Sequence, residues 1–507
     1  MIKRALVFLH RWLGVALCLL FLLWFPSGIG MMYWPYPSVT PADRLERAAA
    51  LDRATIAVSP VEAYGTLGID EPPASIRLNT FDGRPVYRFR TGRFEEHIVF
   101  ADRAEQLGEI PMDMVGRLAA AWTSQPAASA RVDRVEDTDQ WLLQTRLETV
   151  MPLWKYSWPN GEHVYISQAS GNVVQYTSTA SRLGAYAGPI THWLYFTPLR
   201  KHGAQWNRVV VWSSTFGTVA ASLGLIVAIW MYSPRKRYRY DGAPTSIPYR
   251  GQKRWHMVLG LVFGMATVTW AFSGLLSMEP FPLRRDGPEI EPTSGAVRIP
   301  QAFRARLPFG AFAAKDPREA LAKLGNLQVK ELEFTSIVGE PVYLARLSGG
   351  ASRIVPVDGD PIAELDHEAM IDLLKRAAGP ELAEARVLTQ YDAYYLDRRR
   401  ERPLPVILAR LNDASDTRFY IDPKTGRIVA GYSSTDWVER WVYHGLHSLD
   451  FPWLYNYRPA WDIVVITFMV GGTALCVTSL VLAWRVLGRT LARGSARAAT
   501  DVLSDAT

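Results

Sequence analysis

Four long apolar stretches separate segments whose alternation of polar and apolar residues is typical of soluble protein. The stretches are residues 12–32, 209–232, 255–278 and 463–484. Each holds about 20 residues or more without an acid or a base, and a helix of about 20 residues crosses about 30 Å of hydrocarbon. The pattern therefore predicts four transmembrane helices. We expect the first to be an uncleaved span, since it is long and no small-x-small cleavage site follows it.

Basic residues cluster beside these stretches. They flank the first, fill the segment between the second and third, and follow the fourth. Because positive charge collects on the cytoplasmic side, we expect cytoplasmic termini and large periplasmic regions in a bacterial inner membrane. The net charge of +7 thus indicates membrane topology and not nucleic-acid binding. The predicted order is a span at 1–32, an external region at 33–205, a span at 206–232, a cytoplasmic loop at 233–254, a span at 255–278, an external region at 279–460, a span at 461–486 and a cytoplasmic tail at 487–507.

The external regions carry the patterns of α+β domains. Short β-rich stretches with turn signals predict small antiparallel sheets, at 75–81, 86–90, 97–101, 329–334, 342–346 and 352–357. Helical periodicity covers 112–122 and 367–378. The fold class is therefore an α-helical four-span core with two α+β external domains. A basic run at 398–402 is either a solvated surface or a docking patch for an anionic ligand.

The two halves of the chain repeat. An offset of 246 residues places Ser27 on Ser273, and an offset of 255 places Trp206 on Trp461. An offset of 256 aligns two Gly-x-Pro-Val-Tyr segments in the early external regions. The matches predict an internal duplication whose parallel repeats are related by a pseudo-two-fold axis along the membrane normal.

Four of the nine histidines form two pairs related by this repeat. His10 and His256 begin the first and third spans, and His192 and His447 precede the second and fourth. A two-fold axis brings equivalent residues together, and neutral imidazole is an axial ligand of haem iron. Each pair therefore predicts a haem site that transfers electrons; the alternative is that each histidine only satisfies hydrogen bonds at the membrane interface. His444 is a second candidate for the outer ligand, but the repeat favours His447.

Other residues near these pairs have two open interpretations. Six basic residues are candidates for neutralising haem propionates or simply set the topology: Arg11, Arg250, Arg254, Arg200, Lys201 and Arg440. Gly14 and Gly260 lie one turn from the inner histidines and either make room for a macrocycle or allow close helix packing. The other four histidines are interpreted as surface residues: His97, His163, His202 and His367.

This arrangement resembles PepSY-associated transmembrane proteins, the iron-regulated membrane proteins that include siderophore reductases. The resemblance rests on the H-R-W-L-G segment at 10–14, Trp255-His256 with Gly260, Leu446-His447 and the Gly-x-Pro-Val-Tyr segments. It implies PepSY-like external domains and b-type haem in the four-helix core. It also implies reduction of a ferric siderophore, or a similar Fe(III) chelate, on the periplasmic side. By position, the haem ligands would be His10, His256, His192 and His447.

The resulting hypothesis is a two-haem electron-transfer protein. Fe(II) binds siderophores far more weakly than Fe(III), so reduction would release the iron. The loop at 233–254 is too short for a nucleotide-binding domain, so we expect a quinol or a separate reductase as donor. Two alternatives stay open: a haem b carrier for another periplasmic acceptor, and a haem-free regulator whose PepSY domains bind a protease or peptide. A transporter is disfavoured because the spans hold almost no charge.

Overall fold

The computed structural model describes residues 1–92, 95–280, 294–303, 309–312 and 314–504, with side chains as far as residue 492. Within these residues, four long helices frame two stretches of short helices and antiparallel strands. The predicted combination of long apolar helices with α+β domains is confirmed.

The first half runs from one long helix, through two groups of strands, to a second long helix. Its helices are α1 (Ile2–Tyr33), α2 (Pro41–Arg47), α3 (Pro60–Gly65), α4 (Met112–Thr123), α5 (Thr179–Ala185), α6 (Thr197–Arg200) and α7 (Gly203–Met231). Its strands are β1 (Ser75–Phe81), β2 (Arg84–Arg90), β3 (Glu96–Phe100), β4 (Glu105–Gln106), β5 (Arg131–Val135), β6 (Leu153–Ser157), β7 (His163–Ser167) and β8 (Val173–Thr177). A π-helical turn covers Tyr186–Ile190, and 3-10 turns cover Arg53–Thr55, Ala127–Ser129 and Leu147–Thr149.

The second half follows a short hairpin of β9 (Tyr238–Tyr240) and β10 (Ala243–Thr245). Its helices are α8 (Gly251–Leu276), α9 (Gly295–Ala302), α10 (Pro317–Lys323), α11 (His367–Ala378), α12 (Pro452–Tyr455) and α13 (Ala460–Ser504). Its strands are β11 (Val329–Ile337), β12 (Glu340–Leu347), β13 (Ser352–Pro356), β14 (Leu382–Leu388), β15 (Val406–Leu411), β16 (Arg418–Asp422) and β17 (Arg427–Tyr432). A longer π-helical segment covers Val438–His447, and 3-10 turns cover Phe309–Phe312, Ser348–Gly350, Gly379–Glu381 and Ser434–Asp436.

Helices α1, α7, α8 and α13 are long and apolar enough to cross a membrane. Each begins before its apolar stretch, and α7 and α8 end one and two residues before the end of theirs. α1 and α8 each pack against both α7 and α13, which forms a four-helix core. The centre of this core is aromatic, with Phe25, Trp270 and Cys476 buried together.

The largest sheet joins the two halves. Its antiparallel strand order is β13-β12-β11-β1-β2-β3-β4. In the β1–β11 pair, Arg77 stands opposite Glu333, 256 residues later, and Leu78 stands opposite Leu332. The expectation of separate small sheets in each half is therefore wrong for these strands. β1 and β11 would each leave an open edge, and each completes the other's hydrogen bonding.

Each half also has a four-stranded antiparallel sheet of its own. The strand orders are β5-β6-β7-β8 and β14-β15-β16-β17. Tyr165 in β7 and Tyr420 in β16 are fully buried, and each donates its hydroxyl to an aspartate, Asp139 and Asp392 respectively. These similarities are compatible with the duplication, which stays a prediction.

Candidate functional site

The inner histidines meet at one end of the four-helix core. His10 on α1 and His256 on α8 have ring centroids 6.1 Å apart, with 34° between their planes. Nδ1 of His10 lies 2.9 Å from the carbonyl oxygen of Ala220 on α7. Nδ1 of His256 lies 3.2 Å from the hydroxyl of Thr478 on α13. All four long helices therefore position this pair.

The outer histidines meet at the other end of the core. The ring centroids of His192 and His447 are also 6.1 Å apart, with 69° between the planes. Nδ1 of His192 lies 3.1 Å from the carbonyl oxygen of Trp24 and 3.3 Å from the hydroxyl of Ser27. Nδ1 of His447 lies 3.1 Å from the hydroxyl of Ser273. A serine thus touches each outer imidazole.

The length of α1 and α8 separates the two pairs. Ser27 follows His10 by 17 residues, and Ser273 follows His256 by the same interval. At about 1.5 Å of rise per residue, the interval spans about 25 Å, which is close to the thickness of a bilayer's hydrocarbon. The pairs are therefore placed near opposite faces of any membrane that the helices cross.

The two outer histidines lie in or directly after π-helical turns. His192 follows the π-helical turn Tyr186–Ile190, and His447 ends the π-helical segment Val438–His447. Wide π turns displace side chains from ordinary helical positions and recur at functional sites. The first turn also lies directly against α1, because a Cβ added at Gly30 would stand 2.4 Å from the carbonyl oxygen of Ala187.

The geometry of both pairs fits a bis-imidazole haem site. A metal–imidazole bond is about 2.0 Å long, so two imidazoles on one ion place their centroids about 6 Å apart. The Nδ1 contacts leave Nε2 of each ring as the coordinating atom. Among the described residues, no cluster of three or more metal-ligating side chains forms. Two neutral nitrogen donors suit the axial positions of a macrocycle better than they suit a bare ion.

Glycines give the inner histidines their space. A Cβ at Gly224 would lie 2.4 Å from Cε1 of His10, so only glycine lets this ring occupy its position. A Cβ at Gly14 would meet no atom within 4 Å, and one at Gly260 would just touch Leu475 at 4.0 Å. This open space agrees with room for a macrocycle and not with close helix packing at Gly14.

Two cavities border the outer pair, and both histidines line each of them. The smaller, of about 290 Å³, is largely aromatic. Trp24 and Trp270 face it, and neither indole N–H has a hydrogen-bond partner in the described part of the chain. The larger, of about 690 Å³, is polar and is lined by arginine, aspartate and tyrosine side chains.

Burial sets the protonation of groups around the outer pair, which lies outside the four long helices. Desolvation lowers the pKa of His192 to about 4 and that of His447 to about 3. Both rings are therefore neutral near pH 7, the form that binds a metal. Burial raises the pKa of Asp450 to about 6, although Arg398 and Arg440 act to lower it.

The structure separates His444 from His447. Nδ1 of His444 lies 3.8 Å from a carboxylate oxygen of Asp450, and 44% of its side chain is exposed. Only His447 faces His192. The prediction that His202 is a surface residue is confirmed. The same prediction is wrong for His97, His163 and His367, which are half-buried. The first two lie in strands and the third begins a helix, so each side chain packs partly against its own domain.

Several residues of the site escaped the sequence analysis. Ser27 and Ser273 were recognised as equivalent, but nothing in the sequence showed that they touch the outer histidines. Gly224 and Thr478 carry no motif, since their importance depends on packing between helices.

Neither protein-family models nor curated proteins gave a match to this chain. Geometry and sequence pattern therefore carry the interpretation of the site.

Proposed function

We propose that this membrane protein holds two b-type haems and reduces a ferric siderophore, or a similar Fe(III) chelate, in the bacterial periplasm. The observation that supports this most is the equal spacing of two histidine pairs, 6.1 Å between ring centroids in each. A haem with two imidazole ligands has no open position and supplies one-electron transfer.

The chain's own residues orient the imidazoles and exclude water. Carbonyl and hydroxyl groups hold each Nδ1, which fixes the ring and raises the basicity of the opposite nitrogen. Aromatic side chains fill the core between the pairs, with Phe25 and Trp270 at 5.9 Å between ring centroids. Such a core supplies the dry, low-dielectric surroundings in which haem is retained.

The distribution of basic residues supports the orientation. The hairpin of β9 and β10 carries the basic segment at 233–254 and lies near the inner pair's end of α7 and α8. We place it in the cytoplasm by the positive-inside rule, so that the outer pair faces the periplasm. The donor in this proposal is a quinol or a separate reductase.

Equivalent contacts support an internal duplication around these sites. The indole N–H of Trp206 donates to the carbonyl of Trp193 at 2.8 Å, and that of Trp461 donates to the carbonyl of Ser448 at 3.1 Å. Both bonds span 13 residues, and both anchor the segment that follows an outer histidine. The external sheets would then be PepSY-like modules, one set from each half.

A reduced-minus-oxidised visible spectrum of the purified protein, with haem quantified by pyridine haemochrome, tests the cofactor. We expect two low-spin haems per chain. His256→Ala should remove the inner haem and His447→Ala the outer haem, leaving one in each case. His202→Ala, which changes an exposed histidine, should retain two. A wild-type protein without a Soret band would contradict the proposal and favour the haem-free regulator of a protease or peptide.

Reduction of ferric siderophore by proteoliposomes, followed with a ferrous chelator, tests the substrate. With a quinol as the electron donor to the inner haem, the wild-type protein should release Fe(II), and both single-haem variants should lose this activity because each breaks the path from donor to chelate. Haem that reoxidises at the same rate with and without siderophore would point to another periplasmic acceptor.

A further inference from the structure

Three buried polar side chains beside the outer pair have atoms without hydrogen-bond partners. Arg440, Asp450 and Tyr455 are 7%, 6% and 5% exposed. Nη1 of Arg440, Oδ1 of Asp450 and the hydroxyl of Tyr455 are unpaired within the described residues. Folded proteins pair nearly all buried polar atoms, so three unpaired atoms in one place offer hydrogen-bonding groups to water or to a polar ligand.

All three side chains line the polar cavity of about 690 Å³ that also touches His192 and His447. A single water takes about 30 Å³ of liquid volume, so this space is larger than a few waters fill. The part beside His192 and His447 is where the proposed outer haem would lie, and the part lined by the three polar side chains is the part considered for another ligand. The rest of Arg440 is fixed in place, because Nε donates to the carbonyl of Ala393 and Nη2 donates to that of Asp450 at 2.8 Å. Only Nη1 is left for a ligand.

Two more arginines line the same cavity from the basic run. Arg398 lies 3.5 Å from a carboxylate oxygen of Asp450. Arg402 has its guanidinium 5.6 Å from the ring centre of Tyr395 and no ion-pair partner among the residues described. The adjacent Arg399 and Arg400 are exposed and do not line the cavity.

Two of the cavity's acids are occupied by their own loops. Asp397 accepts backbone N–H groups from residues 399, 401 and 402, and Asp436 accepts the backbone N–H of Ser433 at 2.9 Å. Glu439 is exposed, as are Arg398 and Arg402. Nη1 of Arg440 is therefore the buried cationic donor that a ligand would meet, and Arg398 and Arg402 add solvated cations to the same lining.

We propose that this arginine cavity, defined by Arg398, Arg402, Arg440, Asp450 and Tyr455, binds the electron acceptor, and that the acceptor is an Fe(III) chelate bearing carboxylate groups. Guanidinium N–H groups bind carboxylates through charge-assisted hydrogen bonds. Asp450 Oδ1 and the Tyr455 hydroxyl are placed for hydroxyl or amide groups of the same ligand. The inference rests on the proposed function, because a ligand in this cavity can accept an electron only if His192 and His447 hold a haem.

The propionates of a haem on the outer pair offer the same carboxylate chemistry. The experiment therefore measures binding of a free chelate and haem content separately. The probe is Ga(III)–citrate, which is redox-inert, titrated into the purified full-length protein by calorimetry. The uncharged Ga(III) complex of a trihydroxamate is the comparison ligand.

We expect wild-type protein to bind Ga(III)–citrate more tightly than the trihydroxamate complex. Arg402→Gln and Arg440→Gln should each weaken Ga(III)–citrate binding about tenfold or more and retain two haems. Arg399→Gln and Arg400→Gln, the matched controls from the same run, should keep the wild-type Kd within about twofold.

Unchanged affinity in both Arg402→Gln and Arg440→Gln would overturn the inference. So would loss of the outer haem from Arg440→Gln with unchanged chelate binding, because Arg440 would then hold a propionate. A protein that holds two haems but does not bind Ga(III)–citrate would contradict the cavity inference and leave the proposed function intact. A protein that binds Ga(III)–citrate through these arginines but holds no haem would contradict the proposed function and leave the binding site intact.

Discussion

The inner and outer histidine pairs share one spacing but are supported differently. The inner rings project from regular long helices and contact a carbonyl on α7 and a hydroxyl on α13. The outer rings come from π-helical regions outside those helices, and each contacts a serine. Because two unlike supports reach the same 6.1 Å between centroids, we infer that this separation is what the fold preserves.

The two pairs also differ in what holds the rings in place and in whether a large cavity lies beside them. The inner rings are held by the packing of four helices, so small changes in helix contact should disturb them. The outer rings are held by hydrogen bonds to α1 and α8 and border the larger cavity. The glycine that faces the inner pair should therefore tolerate less added volume than the glycine that faces His447, and the outer site should be the more sensitive to lost polar contacts.

Gly224→Ala should break the inner site and leave the outer one intact. The new Cβ would stand 2.4 Å from Cε1 of His10, so the ring must leave its position opposite His256. We expect the haem content to fall from two to about one per chain, measured by pyridine haemochrome.

The matched change at the outer site is Gly274→Ala. Its Cβ would lie 3.5 Å from Cε1 of His447, an ordinary contact, so both haems should be retained. Equal haem loss from the two variants would contradict the different sensitivities of the two sites.

Ser273→Ala should loosen the outer site. The substitution removes the hydroxyl 3.1 Å from Nδ1 of His447, and losing such a contact typically costs about tenfold or more in metal-site affinity. The measurement is the rate of haem transfer to apomyoglobin. Thr269→Val is the control, because that hydroxyl bonds only to the carbonyl of Ala266 in its own helix.

Ser27→Ala should have only a slightly smaller effect on the same measurement. The carbonyl of Trp24 still lies 3.1 Å from Nδ1 of His192, and the equivalent carbonyl of Trp270 is likewise a backbone partner of His447. If both serine variants release haem at the wild-type rate, the hydroxyls do not hold the outer rings.

Trp206→Phe should give the smallest effect, about 1 kcal/mol of unfolding free energy for the lost hydrogen bond to the carbonyl of Trp193 at a half-buried ring. Thermal unfolding followed by circular dichroism measures it. Trp461→Phe loses the equivalent bond in the second half and should cost more, because its ring is 1% exposed and the smaller side chain leaves a cavity. Trp212→Phe, at a ring 57% exposed, is the control. If only one of the two variants lowers the free energy of unfolding, the two indole hydrogen bonds do not both stabilise the protein.

Much of the fold follows from local pattern. The stretch predicted at 75–81 is β1, and that at 367–378 is α11, because alternation and helical periodicity directly report which face of an element is buried. The pairing of β1 with β11 was not predictable, since it joins residues 256 positions apart and depends on how the halves are placed.

The candidate site was predictable in part. The repeat in the sequence singled out His10, His256, His192 and His447, and the structure brings the two members of each pair together. The basic run at 398–402 also suggested an anionic ligand, and two of its arginines line the cavity. No sequence pattern pointed to Asp450 or Tyr455. A single aspartate or tyrosine becomes a candidate only when the structure shows that it is buried with an atom that has no hydrogen-bond partner.

The β1–β11 register has a consequence for how the chain assembles. Arg77 stands opposite Glu333 at the centre of the seam. A first half that met a second copy of itself in this register would set arginine against arginine, and a second half would set glutamate against glutamate. Like charges directly opposed across strands are destabilising. The seam therefore disfavours pairing of two first halves or of two second halves and favours pairing of a first half with a second half.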